Sequence, residues 1–190
     1  MIWKPVGKAE ANFELMISEA NWGDKGIRTG TRWQGRRRLE STLLQYKYPN
    51  IYKEGESLVN KFSLGNWHWT INRTENGNIT RPHYDYNINQ NLRRWGKNLR
   101  DTVEKISNSE NEKNDLLKQW IRFWIPMRDR VVGEYFESSF GVLTDWKAGD
   151  IFHVDAGENH CGATVGFTDR YTFIAEGLKS NLNEEFQKLV

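Results

Sequence analysis

Cysteine is nearly absent: Cys161 is the only one in 190 residues. No internal disulfide can form, and the expected compartment is reducing. Long apolar runs are missing too. The opening stretch `MIWKPVGKAEANFEL` carries no segment long enough for a signal peptide, and nothing in the chain reads as a bilayer span. A cytoplasmic, soluble protein is the expectation. Charge of one sign is not in excess, since 27 Lys and Arg face 25 Asp and Glu for a formal net charge of +2. Overall charge therefore points to neither nucleic acid nor a membrane surface. No Gly-rich phosphate loop precedes a helix, and no Cys or His pair has zinc-finger spacing. There is no GxSxG elbow for a serine nucleophile, no repeat and no low-complexity segment. What the chain has in quantity is tryptophan, nine in all, whose large rings fill cores or line pockets.

The length predicts one domain with a real hydrophobic core. Residues 33–61 read as helical. `RWQGRRRLESTLLQYK` puts Leu39, Leu43, Leu44 and Tyr46 near one face and arginines opposite, and `NIYKEGESLVNKF` offers a second short helix. `NWHWTIN` then alternates as a strand does, and `ENGN` (75–78) supplies the Asn-Gly turn of a hairpin. `QNLRRWGKNLRDTVEKI` (90–106) returns to helical spacing, and `SNSENEKND` (107–115) reads as a loop. From Lys118 strands dominate: `KQWIRFWIPM`, `GEYFES`, `GVLTDW`, `DIFHVD`, `CGATVG` and `RYTFIAEG`. The tail reads as a helix capped by Ser180 or Asn181. Short strands at close spacing predict a mainly β sandwich or open barrel with flanking helices, and the lack of alternation between helices and strands argues against a Rossmann sheet. The stripes of Leu39–Tyr46 and Leu92–Ile106 are expected to cover the outer sheet face.

Four histidines concentrate the chemistry: His68, His83, His153 and His160. `RPHYDYN` and `DIFHVD` each hold a His-x-Asp. On a strand, residues two apart share a face, so imidazole and carboxylate sit side by side. A third ligand from a neighbouring strand completes a 2-His-1-carboxylate set, which leaves coordination positions open and suits ferrous iron. Two assignments stand. The local one joins His153, Asp155 and His160. The long-range one joins His83, Asp85 and His160. Arg170 lies ten positions after His160, with Thr172 on the same strand face, where it can hold an acidic cosubstrate beside the metal.

His83-x-Asp85, the distal His160 and Arg170-Tyr171-Thr172 together resemble the iron(II)- and 2-oxoglutarate-dependent oxygenases. `WKAGDIFHVDAGENHCGATVG` and `IRFWIPM` look like core strands of that family's aspartyl/asparaginyl- and prolyl-hydroxylase-like branches. The resemblance implies a double-stranded β-helix, or jelly roll, over roughly 62–177. Residues 1–61 then form a mostly helical extension, and 178–190 a terminal helix or tail. It implies that His83, Asp85 and His160 bind Fe(II), and that Arg170 with Thr172 binds 2-oxoglutarate. It also implies hydroxylation of a C–H bond with O2, with release of succinate and CO2. The expected substrate is an amino acid, free or in a peptide. On this reading His153 and Asp155 are a strand-end polar pair.

Other residues divide between site and scaffold. Arg122 sits in a strand otherwise full of Trp, Phe and Ile, so it either reaches the pocket as a binder of cosubstrate or substrate, or faces outward. His68 reads as a structural histidine. Trp69, Trp124 and Tyr84 are candidates for pocket or core. Arg36, Arg37 and Arg38 on a helix would spread over roughly 200° of arc, a solvated face, which makes nucleic acid an unlikely partner. The competing function is a cupin-type metal-binding jelly roll without oxygenase chemistry.

Overall fold

The computed structural model describes residues 4–23, 28–29, 36–63, 68–83, 119–154 and 159–188. The expected helix over 90–106, the loop over 107–115, Tyr84, Asp85 and Asp155 fall outside them. Two antiparallel sheets carry the fold. The strands are β1 Gly7–Lys8, β2 Arg28–Thr29, β3 Arg36–Glu40, β4 His68–Thr74, β5 Asn78–His83, β6 Trp120–Pro126, β7 Glu134–Ser138, β8 Gly141–Leu143, β9 Asp150–His153, β10 His160–Thr164 and β11 Arg170–Leu178. The larger sheet has the order β1-β9-β6-β11-β4-β3-β2 and the smaller β5-β10-β7-β8. From β4 onward the chain passes repeatedly between the two sheets, which is the winding of a jelly roll.

The side-chain period of two sorts the large sheet into an outer and an inner face. Outward go Trp69 and Ile71 of β4, Ile121, Phe123 and Ile125 of β6, and Phe173 and Ala175 of β11, all buried. Three helices cover them: α1 Phe13–Ser18, α2 Ser41–Lys47 and α3 Pro49–Asn60. Leu44, Ile51, Leu58 and Val59 join that cluster. Rings stack across it, Trp69 on Phe173 at 5.2 Å and Phe62 on Phe123 at 4.9 Å. Gly55 is bare because a Cβ there would overlap the Trp69 indole. A short C-terminal helix, α4 Glu184–Gln187, brings Phe186 onto Phe62.

Three sequence expectations are corrected. The helix expected to start near residue 33 is a strand through Arg36–Glu40, paired with β4, and only then a helix from Ser41. Pairing to the sheet overrides the local helical pattern and sets Leu39 opposite Ile71 in the outer core. Leu39 and Leu44 still share one core, while Tyr46 is 83% exposed. The turn at Asn76-Gly77 forms, with Gly77 at φ +83, but it does not close a hairpin. The Gly77 N–H donates to Thr164 O at 2.7 Å, which leads β5 onto β10 instead of back onto β4. The C-terminal helix is capped by Asn183, whose side chain accepts from Phe186 N, and not by Ser180 or Asn181, which lie in the preceding 3-10 turn. Among the described residues no helix is long and apolar enough to cross a membrane.

Candidate functional site

The inner faces of the two sheets enclose a small cleft that opens to solvent. Its two walls differ. Trp124, Phe136, Leu143, Trp146, Phe152, Val154 and Ile174 make an apolar cluster on the β6–β9 side. The β4 side is polar, since His68, Thr70, Asn72 and Thr74 all point inward, opposite to Trp69 and Ile71.

His83 and His160 come together at the ends of β5 and β10. They are register partners, and their rings lie 4.4 Å apart. His83 Nδ1 is 2.8 Å from Arg81 O. A carbonyl only accepts, so Nδ1 carries the proton and the lone pair of the neutral ring sits on Nε2. That bond is the kind that orients a metal-ligating imidazole. His160 is buried and packs beside Phe136 at 5.4 Å. Asp85 follows His83 by two positions, outside the described residues. Among those described, no group of three or more His, Cys, Asp or Glu is placed to hold a metal. His153 is not near His160. It pairs with Phe123 on the outer face of the large sheet, whereas its neighbour Phe152 faces in with Trp124. Strand alternation thus removes His153 from the cleft, and with it the local ligand set.

Arg170 opens β11 and points inward. It is 7% exposed. Its Nη1 donates to Tyr135 O and Ala163 O, both at 3.2 Å, and its Nε has no partner among the described residues. Burial is the main influence on the guanidinium and brings it down to about 10, against a raising effect from Glu134 and a lowering one from Arg128. Glu134 is already taken by Arg128 at 2.6 Å. Arg170 is thus a buried cation with no carboxylate within salt-bridge distance among the described residues. Gly162 beside it lets the Tyr135 carbonyl come close, since a Cβ there would lie 2.9 Å from Tyr135 O. Thr172, Thr74 and Thr80 line the same cleft.

Arg122 also points inward and lines the cleft, but Glu176 meets it at 2.7 Å. It is a neutralised pair, not a second naked cation. His68 meets Glu40 at 2.8 Å. Trp124 lines the cleft and Trp69 belongs to the outer core. Sequence reasoning missed Thr74, Thr80, Phe136, Val154, Cys161, Gly162 and Ile174 of the lining, and Glu176 as the partner of Arg122. The period-two run of polar residues at Thr70, Asn72 and Thr74 was the available signal.

No family model matches the chain, and no curated protein matches it. Solved structures similar to it include three with cupin or enzyme names. The Cnp3 cupin domain of Schizosaccharomyces pombe is 7% identical, with a TM-score of 0.41 over 82% of this chain and 69% of that one. The polyketide cyclase RemF of Streptomyces resistomycificus is 7% identical, with 0.43 over 83% and 76%. A predicted oxalate decarboxylase of Thermotoga maritima is 13% identical, with 0.39 over 94% and 99%. At such values no ligand or reaction of theirs passes to this chain, and its winding, read from its own sheets, is that of a mainly β jelly roll with flanking helices.

Proposed function

We propose that the cleft is a metal-dependent active site, and that the chain is an Fe(II)- and 2-oxoglutarate-dependent dioxygenase hydroxylating a C–H bond of an amino acid or peptide. One observation carries the reading. A buried guanidinium with an unpartnered Nε stands in the same cleft as two facing imidazoles. An unpaired buried cation is costly unless something anionic meets it, and a carboxylate fits the guanidinium fork.

His83 and His160 would hold the metal, with Asp85 as the third ligand. Iron, when bound there with 2-oxoglutarate, would supply O2 activation, with succinate and CO2 as coproducts. The chain's own residues have separable tasks. Arg170 fixes the far carboxylate of the cosubstrate, with the Thr172 hydroxyl beside it. The Arg81 carbonyl fixes the His83 ring. Trp124, Phe136, Val154 and Ile174 keep water from one side of the cleft, which strengthens the charge contacts within it.

The second reading is a cupin-like metal-binding jelly roll without oxygenase activity, and it is the one that accords with the cupin names among the similar solved structures. Succinate release separates the two. Protein supplied with Fe(II), ascorbate and 2-oxoglutarate should form succinate even without substrate, and His160→Ala should not. Iron bound without succinate would establish the cupin-like alternative.

A further inference from the structure

The polar half of the interior extends well past the metal site. Across four neighbouring strands, the inner face of the large sheet carries Arg122 on β6, Glu176 on β11, His68 and Asn72 on β4, and Arg38 and Glu40 on β3. These groups lie along one row in two linked sets. Arg122 meets Glu176 at 2.7 Å, His68 meets Glu40 at 2.8 Å, and Arg38 Nε donates to Asn72 Oδ1 at 3.0 Å. Arg38 and Glu40 lie 4.0 Å apart. All are buried or half-buried. On the outer face of the same strands, Leu39, Trp69, Ile71 and Phe123 are fully apolar. Folding alone would favour apolar residues on the inner face too, because well-packed hydrophobic side chains replace internal ion pairs at no loss of stability.

We propose that this row is the substrate-recognition surface and that its ligand is a peptide segment carrying both acidic and basic or amide groups. The inference rests on the oxygenase reading for the direction in which substrate meets the cleft. Three features set the ligand class. The row begins at Arg122, which also lines the cleft, so a ligand lying on it reaches the metal side. Its charges alternate, so it presents both donors and acceptors. Two carboxylates among them repel a phosphate backbone, which disfavours nucleic acid. The row also has length. Four strands at about 4.8 Å spacing span roughly 14 Å, and an extended peptide covers that in about four residues, whereas a free amino acid covers only part of it.

The test is equilibrium dialysis of the purified full chain, with Zn(II) standing in for iron. The probes are a capped tetrapeptide library, the free amino acids and a single-stranded oligonucleotide, read by mass spectrometry. The row predicts retention of tetrapeptides that carry an acidic and a basic or amide side chain. Glu40→Gln and Arg38→Gln should each lower that retention at least tenfold while 2-oxoglutarate binding by calorimetry stays unchanged. Retention of free amino acids or the oligonucleotide in place of peptides overturns the proposal, as does no retention at all by wild type. Peptide retention that both variants keep overturns it as well. Loss of 2-oxoglutarate binding by wild type sinks the oxygenase reading instead, and the dialysis result then stands by itself.

Discussion

The two faces of the large sheet are built from the same strands by opposite rules. Outside, every second residue of β4, β6 and β11 is apolar except Arg73 and Gly177, and helices seal the layer. Inside, the same strands mix Trp124 and Ile174 with Thr70, Asn72, Thr74, Arg122, Arg170, Thr172 and Glu176. The outer face accounts for the fold. The inner face costs stability, because a buried guanidinium and buried hydroxyls are gathered where methyl groups would serve packing better. Stability and function thus lie on opposite sides of one sheet, so substitutions on the two sides should have opposite signs.

The largest effect is expected outside. Trp69 is fully buried and stacks on Phe173. Trp69→Ala should cost about 3–5 kcal/mol of unfolding free energy, read from the urea midpoint. A small cost would mean that the outer cluster does not hold the sheet. Next comes the change of sign. Arg170→Met should raise the melting temperature, with a gain on the order of 1–3 kcal/mol, because it removes a buried charge that has no carboxylate within salt-bridge distance among the described residues. The sign with pH follows from the guanidinium being lowered by burial to about 10. Below pH 10 the folded protein carries the full penalty, and the penalty fades as pH rises past 10 towards the ordinary guanidinium range. The gain from Arg170→Met should therefore shrink above pH 10. A loss of stability at neutral pH would place Arg170 with the scaffold.

Gly55→Ala sharpens the outer rule from the other direction. The added methyl would press on the Trp69 indole, and overpacking of this kind costs about 1–3 kcal/mol. The smallest effect belongs to the arginine run. Arg37 lies on the outer face, pairs with Glu75 at 3.1 Å and is about one-third exposed. Arg37→Glu should change stability by about 1 kcal/mol or less and leave metal and 2-oxoglutarate binding alone. A large loss of binding would bring that edge of the sheet into the site.

Much of this layout was legible in the sequence. The strands after Lys118 were readable because Ile121, Phe123 and Ile125 alternate with inward residues, and glycines and aspartates punctuate the ends. The juxtaposition of His83 with His160 was implied by the family resemblance, since spacing alone left two assignments open and only the sheet brings the two together. The strand at Arg36–Glu40 was not readable, because `RRRLE` followed by `STLLQYK` carries a helical stripe and only pairing with β4 overrides it. Nor was the partner of Arg122. Glu176 is far away in the chain, and only the register of β6 with β11 places the two side by side. The placement of His153 turns on a single step of strand alternation, which sequence alone could not assign to a face.

The central claim is that the inner face is built around an anionic cosubstrate next to a metal. Calorimetric titration of 2-oxoglutarate into metal-loaded protein tests it most directly. Wild type should bind, Arg170→Met should bind at least tenfold more weakly, and binding to wild type should fall away as pH passes about 10. Equal affinity in wild type and Arg170→Met, or no binding to wild type with the metal in place, would contradict it.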